Sequence, residues 1–228
     1  MATVTFGMGI NGASRATGTT VVIDTFRAFT TAAVLFDAGI DSLYLAESLD
    51  EARQLAGDLG GLLCGEDDGR RPPDFDLSNS PLEASERVDL AGQTVVQRTS
   101  SGTRSVVAAL RAGAHPVFAA SFVVASATAA AASTGGAVMI ISAGLHGTEP
   151  ADEDDLTARF IADTIDGSVP DAHTAERIRT CDRAVTLMRA PWAHPGDVFI
   201  AGDLDRYPFA MEAVTDAEGR VQLIRSAS

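Results

Sequence analysis

The stretch VVIDTFRAFTT, Val21 to Thr31, decides how the chain is read. Val21, Val22 and Ile23 form an apolar, β-branched run of strand character that delivers a carboxylate, Asp24, at its end. Arg27, Thr30 and Thr31 follow in what reads as the start of a helix. Open α/β sheets place ligands where a strand end opens onto a helix N-terminus, because the crevice is concave and the free N–H groups favour anions. Carboxylate, guanidinium and hydroxyls thus converge on a candidate anion site. The plainer alternative is a helix start that Asp24 and the threonines merely cap, with Arg27 in solvent.

Working outward, a short strand is expected over Ala2 to Phe6, then a glycine-rich surface loop from Gly7 to Gly18. The helix after Asp24 runs from about Arg27 to Asp37 and stops at Ala38-Gly39, with glycine in the C′ role. A strand over Leu43 to Ser48 and a helix over Leu49 to Leu59 complete a βαβα pass. The same pattern returns 74 residues on: Val21, Val22, Thr25, Ala38, Gly39 and Ala46 meet Val95, Val96, Thr99, Ala112, Gly113 and Ala120 without a gap. A pseudo-repeat of 20–60 and 94–134 within a single domain over 1–228 is the reading that follows. It sets Asp24 opposite Arg98 and Thr30 opposite Arg104, an acidic and a basic strand end lining one crevice. Further on, the pattern predicts a helix over Val123 to Ala132, a strand over Ala137 to Ser142, helices over Leu156 to Ile165 and His173 to Met188, and strands around Asp197 to Ile200 and Arg220 to Ile224. Strands alternating with helices mean an α/β protein, and 228 residues suffice to cover a sheet on both faces.

Composition narrows the chemistry. With 31 acidic and 17 basic residues the formal net charge is -14, which repels nucleic acid and anionic membranes. It also repels an anionic substrate, so local arginines or a divalent cation must reverse the field inside any phosphate site. All 17 basic residues are arginine. Without lysine, Schiff-base chemistry, pyridoxal phosphate linkage and the Walker A loop are excluded, and Asp-x-Asp phosphatases with a supporting lysine are disfavoured. Two cysteines, Cys64 and Cys181, form no disulfide framework and fit a reducing cytoplasm; the N-terminus lacks the basic region of a signal peptide, and the apolar stretch from Val117 to Ile141 is broken by Ser133 to Gly136.

Cys64 to Arg70 has the Cys-x5-Arg spacing of cysteine phosphatases, but Glu66, Asp67 and Asp68 would raise the thiol's pKa and repel phosphate. Those carboxylates suit a hard cation such as Mg²⁺, or simply a solvated acidic loop. Pro72, Pro73 and Pro81 forbid regular structure in this connection until Ser80-Pro81 starts a helix. In RTSSGTR, Arg98 to Arg104, small residues let backbone N–H groups approach an oxyanion and two arginines offer bidentate contacts; a capped helix start with surface arginines is the bland alternative. The run Asp152 to Asp155 complements a helix dipole, with one member available to a metal. Of four scattered histidines only His146, in a glycine-flanked loop after a buried strand, invites attention.

Together these stretches resemble the 2-phosphosulfolactate phosphatase family, the ComB-like proteins of coenzyme M biosynthesis. IDTFRAFTT looks like its Asp-x-x-Arg-Ala-x-Thr-Thr motif, GE with the later DFDLSNSP like its Gly-Glu and Asp-Leu-Gly-Asn-Ser-Pro motifs, and TSSGTR like its Thr-Thr-Asn-Gly-Thr-Arg. SFVVASA from Ser121, then SAG with Glu153-Asp154, complete the order between Val21 and Ile165. The resemblance implies a three-layer α/β/α fold with a mixed sheet and Mg²⁺-dependent hydrolysis of the phosphate monoester of a sulfonated hydroxy acid. Asp24, Arg27, Glu66, Asp76, Asn79, Ser80, Thr103, Arg104 and Ser121 match family positions, whereas Ser78, Ser101 and Ser142 replace its glycine, asparagine and cysteine. The resulting expectation has Asp24, Arg27 and Arg104 as catalytic residues. Thr30, Asn79, Ser80, Ser101, Gly102, Thr103 and Ser121 would bind substrate, and Asp24, Glu66, Asp76 and Asp154 would hold Mg²⁺. Asp24 and Arg104 should face one pocket. The partner is a small anionic phosphorylated substrate, with neither nucleic acid nor membrane and with room for a homodimer. The rival is a non-catalytic anion-binding module on the same fold.

Overall fold

The structure, a computed structural model, describes residues 3–227. Strand β2 (Thr19–Ile23) is buried along its whole length, as a short apolar run without alternation requires. It passes through Asp24 into α2 (Ala28–Asp37), in which every residue from Ala28 to Phe36 is buried. A helix apolar on all sides needs neighbours on all sides. The sheet supplies them.

That sheet contains β1 (Val4–Met8), β2, β3 (Ser42–Ala46), β4 (Leu62–Gly65), β5 (Leu77–Ser78), β6 (Thr94–Arg98), β7 (Val117–Ala120), β8 (Val138–Ser142), β9 (Phe209–Thr215) and β10 (Val221–Ala227). Their order is β1-β8-β2-β7-β9-β10-β3-β6-β4-β5. The first four are mutually parallel, as are the last four. The antiparallel hairpin β9–β10 joins the two groups, pairing with β7 on one side and β3 on the other. One core cluster takes Val22 and Ala119 from the first group, Leu43, Leu45 and Val95 from the second, and Phe29 and Leu35 from α2. Successive strand residues face opposite ways, so Val21, Ile23 and Ile140 pack outward on α6 (Ala125–Ala132), α7 (Asp152–Asp166) and α9 (Asp182–Arg189). Tyr44 and Val96 pack outward on α3 (Leu49–Leu59) through Ala52 and Ala56. The expected α/β architecture, a mixed sheet between helical layers, is borne out.

The segments 74 residues apart carry the same elements at the same spacing. Helix α2 begins at Ala28 and α5 (Gly102–Arg111) at Gly102. Both stop on a glycine of positive φ, 83° at Gly39 and 88° at Gly113. Neither unit keeps its strands together: β2 pairs with β7, and β3 with β6. Each helix therefore crosses from one half of the sheet to the other.

Several local expectations are corrected. Ala2 lies outside the described residues, and β1 runs to Met8. The stretch Gly7 to Gly18 is no flexible surface loop: it holds α1 (Gly9–Ala13), with Gly12, Ala13 and Ala16 buried. The helix expected from His173 to Met188 breaks at Cys181, whose extended backbone separates α8 (Thr174–Thr180) from α9. Asp197 to Ile200 belongs to α10 (Pro195–Ala201), where Pro195 takes the first helical position and His194 and Asp197 form a capping box. The hairpin partner of β10 is β9 instead. Among the described residues no helix is long and apolar enough to cross a membrane.

Candidate active site

Asp24 sits just past the end of β2, 7% exposed. Its Oδ1 accepts the Ala28 amide at 3.0 Å, and the Gly102 amide also stabilises its charge. Ala28 and Gly102 occupy the same place in the two 74-residue-spaced segments, so the first turns of α2 and α5 both face one carboxylate, α2 through the Ala28 hydrogen bond and α5 through the favourable field of the Gly102 amide. The approach is tight: a Cβ on Gly102 would lie 2.7 Å from Asp24 Oδ2 and 3.0 Å from Ala28 Cβ. Burial pushes the Asp24 carboxyl up to about 6 against the Ala28 amide; Glu66 adds to the rise, and the Gly102 amide and Arg183 oppose it.

Beside Asp24 lies a cavity leaving about 50 Å³ to water, room for a few waters or a small anion. Arg27, Glu66, Asn79, Ser101 and Arg183 line it with Asp24, and Gly69, Ser100 and Gly144 to His146 close it. Glu66 follows β4 and is held by backbone and hydroxyl donors: Ser100 N reaches Oε1, and Gly69 N and Ser100 Oγ reach Oε2 at 2.6 and 3.0 Å. Ser101 Oγ accepts the Gly147 amide at 2.9 Å, tying the loop after β6 to the loop after β8. His146, with φ of 51°, approaches Asp68 across the opening, Nδ1 to Oδ1 at 3.5 Å.

Arg27 follows a cis Phe26–Arg27 peptide and is 3% exposed. Its Nη1 donates to Asp197 Oδ2 and its Nη2 to the Gly69 carbonyl, both at 3.1 Å, while the guanidinium lies 5.3 Å over the Trp192 ring. Asp197 is wholly buried and also accepts Ser80 Oγ at 2.5 Å. This buried pair anchors α2, α4 (Pro81–Glu86) and α10 around the cavity.

Of the expected site residues, Asp24, Arg27, Glu66, Asn79 and Ser101 are brought to the cavity, with Gly102 against Asp24. Others are not. Arg104, expected to share a pocket with Asp24, lies half-buried on the side of α5 that also carries Arg111 and does not line the cavity. Thr30 Oγ1 bonds the Thr25 carbonyl, Thr103 Oγ1 bonds the Thr99 carbonyl, and Ser80 caps α4. Ser121 is fully buried, its hydroxyl unpartnered. Asp76 is exposed beside β5, and its Oδ2 accepts the Leu63 amide. Asp154 lies behind Asp24, its two oxygens accepting the Thr25 and Gly144 amides at 2.7 and 3.0 Å. Burial holds its carboxyl well above the usual range, with Glu153 and Asp24 adding to the rise. Cys64 is fully buried, and desolvation pushes its thiol up to about 12, so it offers no thiolate nucleophile.

Arg183 and Asp197 escaped the sequence reading. The signal for Asp197 was the helix start His194-Pro195-Gly196-Asp197, which the apolar Val198-Phe199-Ile200 disguised as a strand. Nothing local marks Arg183. Among the described residues no three His, Cys, Asp or Glu side chains converge as a metal site. Asp24 and Glu66 nevertheless face one cavity, and Mg²⁺ is commonly held by one or two carboxylates, with waters and substrate phosphate completing the shell. The residues fit such a partly solvated ion. They do not fit a cage built of Asp24, Glu66, Asp76 and Asp154 together.

Buried carboxylates at strand ends and guanidinium groups at helix starts, in a cavity of anion size, define an α/β protein with a polar small-molecule site. Residues 9–195 match the sequence profile of the 2-phosphosulpholactate phosphatase family, and the chain belongs to that family. A relative from Thermotoga maritima is 30% identical over 160 residues, 70% of this chain and 68% of the relative. One from Thermus thermophilus is 42% identical over 99 residues, 43% of this chain, and one from Carboxydothermus hydrogenoformans 40% over 93 residues, 40% of this chain. All three are named "Probable 2-phosphosulfolactate phosphatase". The aligned stretches span 41% and 38% of the Thermus and Carboxydothermus proteins.

Proposed function

We propose that the chain is a phosphoric monoester hydrolase for a small acidic hydroxy acid, with 2-phosphosulfolactate, the substrate in its relatives' names, yielding sulfolactate and phosphate. The observation that carries this reading is Asp24, clamped by the first turns of two helices beside Glu66 in a small cavity. Backbone donors fix both carboxylates, so neither reorganises when a ligand arrives. Asp24 and Glu66 would hold a divalent cation, Mg²⁺ by the oxygen chemistry of the pair. Such an ion, when bound, polarises a phosphoryl group and yields hydroxide near neutral pH. Asn79 and the Ser100–Ser101 turn present neutral polar groups to the substrate, and Arg27, spent on Asp197, shapes the wall. The free thiols of Cys64 and Cys181 fit a cytoplasmic place.

The test is phosphate release from 2-phosphosulfolactate and a panel of phosphorylated hydroxy acids, with and without Mg²⁺. Asp24→Asn should abolish turnover while leaving the circular dichroism spectrum and thermal midpoint in place. Full Mg²⁺-dependent activity in that variant would sink the assignment of Asp24. Tight binding without turnover of any panel member would leave the non-catalytic module standing.

A further inference from the structure

We infer that Arg183 is the guanidinium that holds the phosphoryl group in this cavity, an inference that rests on the hydrolase reading above. An anion entering beside Asp24 and Glu66 meets two buried carboxylates and needs positive charge with unspent donors. Three lining residues offer or can acquire such charge. Arg27 has its donors on Asp197 and the Gly69 carbonyl, and His146 is half-exposed at the opening beside Asp68. The Arg183 side chain makes no hydrogen bond and no ion pair among the described residues, and its Nε is buried without a partner.

A buried, unpaired guanidinium N–H is costly; buried Glu153, whose charge Arg183 also stabilises, makes no hydrogen bond to it, so an entering anion can supply the missing acceptor. The position is also unfavourable in itself. Arg183 lies in the first turn of α9, where the helix dipole disfavours a cation. Its charge acts on Asp24, so an anion placed at Asp24 is within its electrostatic reach. The planar fork matches two oxygens of one phosphoryl group. Arg98, at the end of β6, also has an unpartnered Nε, but its Nη1 bonds the Glu66 carbonyl and Asp67 and it does not line the cavity.

The experiment compares wild type, Arg183→Lys and Arg183→Gln in two measurements: hydrolysis of the panel with Mg²⁺ saturating, and binding of inorganic phosphate by competition and by calorimetry. Arg183→Gln should raise KM and the phosphate dissociation constant together by about 10- to 100-fold, the loss of a charged hydrogen-bond pair. Arg183→Lys should recover part of the loss. An unchanged phosphate constant in folded Arg183→Gln overturns the assignment, even with a raised KM, because Arg183 would then serve another part of the substrate. If wild type hydrolyses no panel member the hydrolase reading fails, and the phosphate titration still decides Arg183. Should Arg183→Gln not fold, Arg183→Met, which keeps the aliphatic stem, is read the same way.

Discussion

Asp24 owes its place to backbone groups rather than to side-chain partners. Ala28 and Gly102 amides flank it, and Gly102 has no room for a Cβ, 2.7 Å from Oδ2. Gly102→Ala must therefore move Asp24 or part the two helices. Overpacking of this kind costs about 1–3 kcal/mol, and we expect kcat to fall well beyond what that instability explains, since the displaced atom is the carboxylate itself. Urea denaturation and steady-state kinetics on one preparation check this: a variant destabilised by that amount yet fully active would free Asp24 of its proposed role. What sequence disclosed at this scale follows the same physics. Asp24 and Glu66 stand directly after strands and Ser101 in the short turn between β6 and α5, where direction is fixed locally, and they reach the cavity. Arg104 lies further along, inside a helix, where the phase of α5 turns it away. Arg183 arrives from a helix distant in sequence, and only packing could reveal it.

At the scale of elements, we propose that β2-α2-β3 and β6-α5-β7 are two copies of one unit exchanged across the sheet. Helices that begin 74 residues apart, glycine stops of like φ and reciprocal strand pairing support this. The repeat could be read in sequence because strand, helix stop and next strand leave local signatures. The exchange could not, because parallel pairing is decided by which strands meet after the helices have crossed. A matched pair of substitutions tests the equivalence. A Cβ on Gly113 meets open space, and one on Gly39 approaches Ala91 no closer than 3.8 Å. The cost of alanine at either is thus conformational alone, about 1–2 kcal/mol for a left-handed residue. Gly39→Ala and Gly113→Ala should lower the urea midpoint by similar amounts with an unchanged slope. A large disparity would show that the two stops bear different loads.

For the whole molecule, the net charge of -14 opposes the proposed chemistry. An approaching phosphate ester crosses a repulsive field before reaching the cation and guanidinium that favour it. The two contributions differ in range. Contacts inside the cavity act over a few ångströms and are poorly screened, whereas the collective surface field extends further and collapses as the Debye length shortens from about 30 Å at 0.01 M to about 8 Å at 0.15 M salt. Added salt therefore removes the repulsion first. At fixed Mg²⁺, kcat/KM for a multiply charged substrate should rise from 10 to 150 mM potassium chloride, through KM rather than kcat, because steering acts on encounter and not on the bound state. A monoanionic ester of the same shape should respond less. The opposite trend, a steady fall in kcat/KM with salt, would mean that the cavity's own positive field dominates at long range, and that the acidic surface lies on faces turned away from the entrance.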